Sequence, residues 1–188
     1  MTQTLTANKS ITQTIHVLAS NSEKWATLTG VLAALPTGHK TLIFSATKVG
    51  CNEVADALWK AGGAVDALHG DKEQWERTAC LDKFRKGTLN LIVATDVAAR
   101  GLDIDGITHV INYDFPAGHG AVEDYVHRIG RTGRGTKTGE AITFLVRWKY
   151  FSESKQATMH GAAARAKICG RPLPRMWTGR SWQLRTKR

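Results

Sequence analysis

Between residues 11 and 146, short apolar runs alternate with longer segments whose apolar positions recur every three or four residues. Residues 11–18 (ITQTIHVL) partly alternate, with Ile11, Ile15 and Val17 on one side, and predict a first strand at a sheet edge. Ser20 or Ser22 is placed to cap a helix reaching Leu35, with Trp25, Leu28, Leu32 and Leu35 on one face and Pro36 and Gly38 ending it. Residues 40–45 (KTLIFS) form an apolar run suited to a buried parallel strand. A helix over 49–61 follows, with Val54, Ala55 and Leu58 inward and Gly62-Gly63 as its stop. The pattern then predicts a strand over 64–68, a helix from 71 or 72 to 86 packing Trp75, Ala79 and Phe84, and a core strand over 89–94 (LNLIVA). A strand over 109–112, a helix over 121–129 and a strand over 140–146 complete the series.

Strands and helices alternating at this spacing mean right-handed βαβ units: an α/β fold with a mostly parallel sheet and helices on both faces. In such sheets ligands collect where the strands end at their carboxyl edge. The residues just beyond the three most apolar strands are Ser45-Ala46-Thr47-Lys48, His69-Gly70-Asp71 and Thr95-Asp96. All are small, hydroxylic or glycine-containing, as close approach of backbone to an anion requires.

Composition narrows the class. The 188 residues are 42% hydrophobic and 22% charged, an ordinary globular balance with no apolar run of membrane-span length. The polar N-terminus MTQTLTANKS is not a secretory signal. Cys51, Cys80 and Cys169 are odd in number and far apart, which argues against a disulfide framework or a zinc site and for a reducing intracellular compartment, cytoplasmic or nuclear. The net charge of +10 is unevenly placed: residues 1–146 carry 15 Lys/Arg and 15 Asp/Glu, whereas 147–188 carry 11 Lys/Arg and one acid, Glu153. A neutral domain over 1–147 with a basic extension over 148–188 implies a polyanionic partner, nucleic acid ahead of membrane. In that extension, 148–167 has helical character. Residues 168–188 read as irregular, with Trp177 and Trp182 either stacking on bases or, like Trp148, covering the sheet.

Candidate chemistry is concentrated in YVHRIGRTGR, residues 125–134. Arg128, Arg131 and Arg134 recur every third residue with Gly130 and Gly133 between them, so a helical turn would gather the guanidinium groups on one stripe. Like charges this close need an anion or carboxylates, and Glu123 and Asp124 lie just upstream; a carboxylate-paired basic helix end and a phosphate site are both open. In ATDVAARGLDIDGI (94–107), Thr95 and Asp96 cap a strand end and Arg100-Gly101 turn the chain. Asp103 is placed either to hold an arginine or to accept from a ribose hydroxyl. In HGDKEQWER (69–77), Gln74 and Arg77 share a helix face and, with the amide of Gly70, suit a nucleic-acid backbone.

IFSATK, HGDKEQWER, ATDVAARGLDI and YVHRIGRTGR, in this order within one α/β domain, resemble the second RecA-like lobe of DEAD-box ATP-dependent RNA helicases, a branch of helicase superfamily 2. The resemblance covers about residues 10–147 and implies a three-layer RecA-like fold. It further implies that ATP and RNA bind between this lobe and an N-terminal lobe carrying the phosphate loop and the D-E-A-D carboxylates. By position in the motifs, Arg131 and Arg134 are the catalytic arginines that reach the γ-phosphate, Arg134 being the finger. Asp103 and Gly101 join them around the nucleotide. By the same resemblance, Thr47, Gly70, Gln74, Arg77 and Thr95 grip the RNA backbone, His127 links this motif to the N-terminal lobe, Arg100 couples the nucleotide and RNA surfaces, and Arg128 is structural. ATP would come with Mg2+ held mainly by the N-terminal lobe, and a regulatory protein is a further expected partner. Neither a G-x-x-x-x-G-K-[ST] nor a D-E-A-D occurs; Gly38-His39-Lys40-Thr41 precedes a strand, whereas a phosphate loop follows one. The expectation is therefore an enzyme half, inactive alone. Three other readings remain beside it: an RNA-binding or annealing module dominated by the basic extension, a lobe that docks a regulatory protein, and a DNA helicase of the same superfamily. The segment PAGHGAVEDY (116–125) is about three residues longer than is usual in the family, through Gly118 and Gly120.

Overall fold

The computed structural model describes residues 8, 10–100, 104, 106–135 and 137–147, together with the backbone of 181–184. The elements run β1 (Ile11–Leu18), α1 (Glu23–Ala33), β2 (Thr41–Phe44), α2 (Lys48–Lys60), β3 (Val65–Leu68), α3 (Gln74–Lys86), β4 (Leu91–Ala94), α4 (Asp96–Ala99), β5 (His109–Asn112), α5 (Ala121–Ile129), β6 (Gly139–Val146) and β7 (Ser181–Leu184). The sheet order is β3-β4-β2-β5-β6-β1-β7. Every neighbouring pair is parallel except β1 and β7. From β2 at the centre the chain goes out to β3, returns through β4 and crosses to β5 on the other side.

Period-2 alternation in the central strands feeds two cores. Ile43, Val93, Ile111 and Phe144 face α1 and α2, which contribute Leu28, Cys51, Val54 and Leu58. Leu42, Phe44, Ile92 and Val110 face the opposite layer, where α3 and α4 contribute Cys80, Phe84, Ala98 and Ala99. α5 completes that layer through Ile129, packed on Ile11 and Ala141. Both faces of the sheet are thus covered, which is why β2, β4 and β5 are apolar and buried along their whole length.

Several sequence expectations change. Trp75 is 71% exposed, and α3 is instead seated by Cys80 and Phe84, four residues apart on one face. Trp25 is 37% exposed, and Leu28 is the fully buried apolar anchor of α1. β1 is not an edge strand, because β7 pairs antiparallel with it, Gln13 opposite Leu184 and His16 opposite Ser181. Four residues of the stretch read as irregular are therefore strand. The helix expected over 148–167 and the remainder of the basic extension, Trp177 included, lie outside the described residues.

The parallel register aligns strand ends. Leu68 pairs with Ala94, Ala94 with Phe44, Phe44 with Asn112, and Asn112 with Thr143. His69, Thr95, Ser45 and Tyr113 consequently leave the sheet along one line, at the carboxyl edge.

Candidate functional site

A cleft opens at that edge between α4 and α5, lined by Phe44, Asp96, Ala99, Arg100, Asp124, His127, Arg128 and Arg131. α4 starts directly after β4, with Thr95 in extended conformation as its N-cap, which aims Asp96 toward α5. Arg128 is 3% exposed and forks onto Asp96, with Nε and Nη2 each 2.6 Å from a carboxylate oxygen. Its Nη1 donates to the carbonyl of Asp114 at 2.6 Å and lies 3.4 Å from Asn112 Oδ1, and the guanidinium sits 5.0 Å from the Phe44 ring centre. A guanidinium so enclosed needs this number of acceptors, because a buried charge without partners is strongly unfavourable. Arg128 is structural here, and its carboxylate is Asp96; Glu123 and Asp124, the nearest acids in sequence, do not hold it. Asp124 pairs with Arg100 at 2.8 Å.

The three arginines do not form one stripe. α5 ends at Ile129, and the chain turns through Gly130 to Gly133. Thr132 is buried and donates its hydroxyl to the carbonyls of Ile107 at 2.8 Å and Thr108 at 3.0 Å. Gly133 has φ 65°, and its carbonyl accepts from Ser10 Oγ at 3.0 Å and Asn8 Nδ2 at 2.9 Å. This clamped turn places Arg131, half-buried, at the cleft and leaves Arg134 exposed. Burial lowers the pKa of Arg131, and the charge of Arg134 lowers it further. His127 is an exposed member of the cleft. Gly101 and Asp103 lie outside the described residues.

The second group lies across the same edge. Thr47 is exposed and caps α2, accepting from the amide of Gly50 at 3.0 Å. Gly70 is exposed in a loop that an ion pair between Lys48 and Asp71 ties to α2. A Cβ on Gly70 would meet only Lys48 Cε, at 3.9 Å, so the side-chain face of this loop position is uncrowded. Arg77 Nη1 donates to Gln74 Oε1 at 3.3 Å, so the two act as one polar unit at the start of α3. Thr95 is 8% exposed, the most enclosed of this group.

Two carboxylates organise the site that sequence patterning did not assign to Arg128 or to the edge loops. Asp96 holds Arg128 across 32 positions of sequence. Asp114 accepts from Lys24 Nζ at 2.5 Å, from the amide of Ala46 at 2.9 Å and from Ser45 Oγ at 3.2 Å. Burial pushes the Asp114 carboxyl up, but the Lys24 and Ala46 hydrogen bonds, with the Lys24 charge and Ser45, outweigh it and hold it below the ordinary carboxylate value. Its position straight after a core strand, in NYD, is the available sequence signal. Cys51 and Cys80 are buried thiols, which burial pushes up to about 11 and about 12. Among the described residues no group of three or more His, Cys, Asp or Glu is arranged to hold a metal ion. Nor is any helix among them long and apolar enough to cross a membrane.

The architecture is thus a parallel α/β lobe with arginines, hydroxyls and an exposed glycine loop gathered at the carboxyl edge of its sheet. Residues 23–136 match the helicase conserved C-terminal domain, and the chain belongs to that family. It is 50% identical over 142 residues to the ATP-dependent RNA helicase DBP2 of Candida albicans, covering 75% of this chain and 25% of that protein. It is 55% identical over 141 residues to the DEAD-box ATP-dependent RNA helicase 46 of Arabidopsis thaliana, covering 75% and 21%. The chain thus spans about a quarter or less of these relatives. Among solved structures, the C-terminal domain of the DEAD-box protein Dbp5 superposes with a TM-score of 0.68 at 32% identity, over 78% of this chain and 88% of that one. Saccharomyces cerevisiae Dbp5 bound to RNA and ADP BeF3 gives 0.68 at 33%, over 78% and 39%. Escherichia coli SrmB bound to the regulator of ribonuclease activity A gives 0.65 at 29%, over 85% and 81%. The lobe is a RecA-like C-terminal domain of the DEAD-box type.

Proposed function

We propose that this chain works as the second lobe of an ATP-dependent RNA helicase, over 1–147, with 148–188 as a basic extension. Its arginines complete an ATP-hydrolysing site whose phosphate loop belongs to an N-terminal lobe. The observation that carries this reading is the α4–α5 cleft, where Arg100, His127 and Arg131 converge around a buried Arg128–Asp96 fork in a chain of the helicase family. The cleft is lined by three arginines against two carboxylates, so its excess positive charge suits a nucleoside triphosphate, and phosphoryl transfer is catalysed chiefly by positioning and charge stabilisation.

In this reading ATP supplies the transferable phosphoryl group, with Mg2+ held by the N-terminal lobe. Arg134, and Arg131 behind it, stabilise charge on the phosphate oxygens, a contribution of roughly 10³ to 10⁵ in rate for a finger arginine. Arg128 holds the frame from which they project, Asp103 and Gly101 belong to the nucleotide side, and Arg100 and His127 transmit lobe closure. Thr47, Gly70, Gln74, Arg77 and Thr95 take the RNA sugar-phosphate backbone through hydroxyl, amide and guanidinium groups. Such contacts do not read base identity, so binding is sequence-independent and weakens with salt. Bending one strand there opens a short duplex locally. RNA, the N-terminal lobe and a regulatory protein are the partners of this scheme, in an intracellular setting.

The test is to assay ATP hydrolysis by the chain alone and after joining it behind the N-terminal lobe of the Candida albicans relative, with and without single-stranded RNA. The reading predicts no turnover for the chain alone and RNA-stimulated turnover for the two-lobe protein. Turnover by the chain alone, or a two-lobe protein indifferent to RNA, contradicts it.

A further inference from the structure

The two groups of functional residues are separate in sequence, yet one residue outside both touches each. Asp114 follows β5 in the Asn112-Tyr113-Asp114 turn. Its carboxylate fixes the loop after β2, accepting from the Ala46 amide at 2.9 Å and Ser45 Oγ at 3.2 Å. Ala46 is joined to Thr47, which caps α2. The same residue's backbone carbonyl accepts from Arg128 Nη1 at 2.6 Å. Arg128 in turn grips Asp96, the first residue of α4, immediately after Thr95. Lys24, its side chain 10% exposed, neutralises the carboxylate from α1 at 2.5 Å and lies 5.1 Å from the Tyr113 ring centre.

We propose that Asp114 is a positioning residue that couples the loop carrying Thr47 to the arginine turn after α5. This inference rests on the reading given under Proposed function. The chain of contacts is short and continuous: Thr47, the Ala46 amide, the Asp114 carboxylate, the Asp114 carbonyl, Arg128, Asp96 and Thr95. Asp114 uses its side chain on one side of the site and its main chain on the other, so neither can shift without carrying the other. Three of these links are hydrogen bonds with a charged partner and the other three are covalent; the Arg128 bonds are partly enclosed, where such bonds are strong and geometrically demanding, while the Ala46 bond lies nearer the surface. Lys24 has a different part. It supplies the counter-charge that keeps Asp114 ionised, without touching the Ala46–Thr47 loop in any described hydrogen bond. Strand β5 anchors the residue rigidly, since Asn112 is fully buried and donates to Thr143 Oγ1 at 3.1 Å.

The experiment uses the two-lobe protein and measures three quantities: the concentration of single-stranded uridine homopolymer giving half-maximal stimulation of ATP hydrolysis, the KM for ATP, and the melting temperature. Asp114→Ala removes the acceptor for the loop and is expected to raise the RNA half-saturation about tenfold, the equivalent of one charge-assisted hydrogen bond, with KM for ATP within about twofold of wild type. Asp114→Asn keeps an oxygen for the Ala46 amide and is expected to raise it about threefold. Lys24→Met leaves that acceptor in place; it is expected to lower the melting temperature while moving the RNA half-saturation by less than about twofold. Should Asp114→Ala fail to fold, Asp114→Asn beside Ser45→Ala reads the same pair of bonds. An Asp114→Ala half-saturation within about twofold of wild type overturns the proposal, as do shifts in all variants that simply follow their melting temperatures. Absence of RNA stimulation in the wild-type two-lobe protein is a different failure: it removes the proposed function itself, and the coupling role with it.

Discussion

Replacing Arg128 by alanine tests the physical frame of the site on the isolated chain. The side chain is 3% exposed and makes a two-pronged bond to Asp96 at 2.6 Å, a bond to the Asp114 carbonyl at 2.6 Å and a cation–π contact with Phe44 at 5.0 Å. Truncation leaves the Asp96 carboxylate and the Asp114 carbonyl without their donor. Breaking one side of a buried ion pair costs roughly 3–5 kcal/mol. Asp96, with its side chain 30% exposed, recovers part of that from water, so about 3 kcal/mol is expected. For a domain of this size that is a fall in melting temperature of roughly 6–12 °C. Urea denaturation followed by tryptophan fluorescence and far-UV circular dichroism gives the value directly, with an unchanged m showing that the same surface unfolds. Arg128→Lys keeps the charge but loses the planar fork, and is expected to lose at least half as much. A loss below about 1 kcal/mol for Arg128→Ala, the scale of an exposed surface pair, would refute the claim that this fork is buried and structural.

Other outcomes follow from the same coordinates. Gly139→Ala would put a Cβ 2.3 Å from Thr132 Oγ1 and 2.6 Å from the Gly133 amide, so the arginine turn must move; a loss of more than about 2 kcal/mol in urea is expected, and less than about 0.5 would contradict the packing. The lowered pKa of Asp114 stabilises the fold above the ordinary value of 3.8 and is lost as pH falls through the lower folded value; the stability advantage of wild type over Asp114→Asn should therefore shrink below about pH 4 and hold steady from pH 5 to 7. Burial lowers the pKa of His16, His39 and His109, so the unfolded chain takes up protons first; stability should fall from pH 7 toward pH 5, and His109→Gln should flatten that slope, Glu140 and His39 being the ionisable groups that face it. Cys51 and Cys80, raised to about 11 and about 12, should resist alkylation at pH 8 in the folded chain and react in urea, as mass spectrometry of labelled peptides would read.

Which parts of this structure are readable from sequence depends on the range of the interactions that make them. The six strands from residue 11 to 146 and four of the helices between them follow local periodicity, and residues such as Val54, Leu58 and Phe84 are buried where that periodicity puts them. α4 is four residues long, too short for a helical period to register, and its cap Thr95 is the one local hint. β7 depends on pairing with β1, across more than 160 positions, in a stretch whose composition reads as irregular. Trp75 fails for another reason: a bulky apolar residue at the first turn of α3 satisfies the pattern, while Cys80 and Phe84 already fill the facing layer.

At the site, the arginine run itself is legible because its residues are consecutive in sequence. The turn at Gly130 that separates Arg128 from Arg131 and Arg134 is signalled by the glycines, but the fate of each arginine is not. Arg128 is buried because Asp96 and the Asp114 carbonyl converge on it from two other loops, and convergence of loops is a property of sheet order and register. Of the nearest acids in sequence, Glu123 is exposed, and Asp124, which lines the same cleft four residues before Arg128, is engaged by Arg100. Thr47, Gly70 and Thr95 are legible as a group only through the rule that parallel strands end together, which the register bears out.

In the proposed function, the exposed arginine beyond the Thr132–Gly133 clamp completes a phosphoryl-transfer site supplied by another lobe. Turnover and ATP affinity of Arg134→Ala in the two-lobe protein, measured with saturating single-stranded RNA, test it most directly. The expected outcome is a fall in kcat of about 10³-fold or more, with ATP affinity within roughly threefold of wild type, because the arginine acts on charge that develops in the transition state. Wild-type turnover in that variant, or a loss of ATP affinity that accounts for the whole effect, would contradict it.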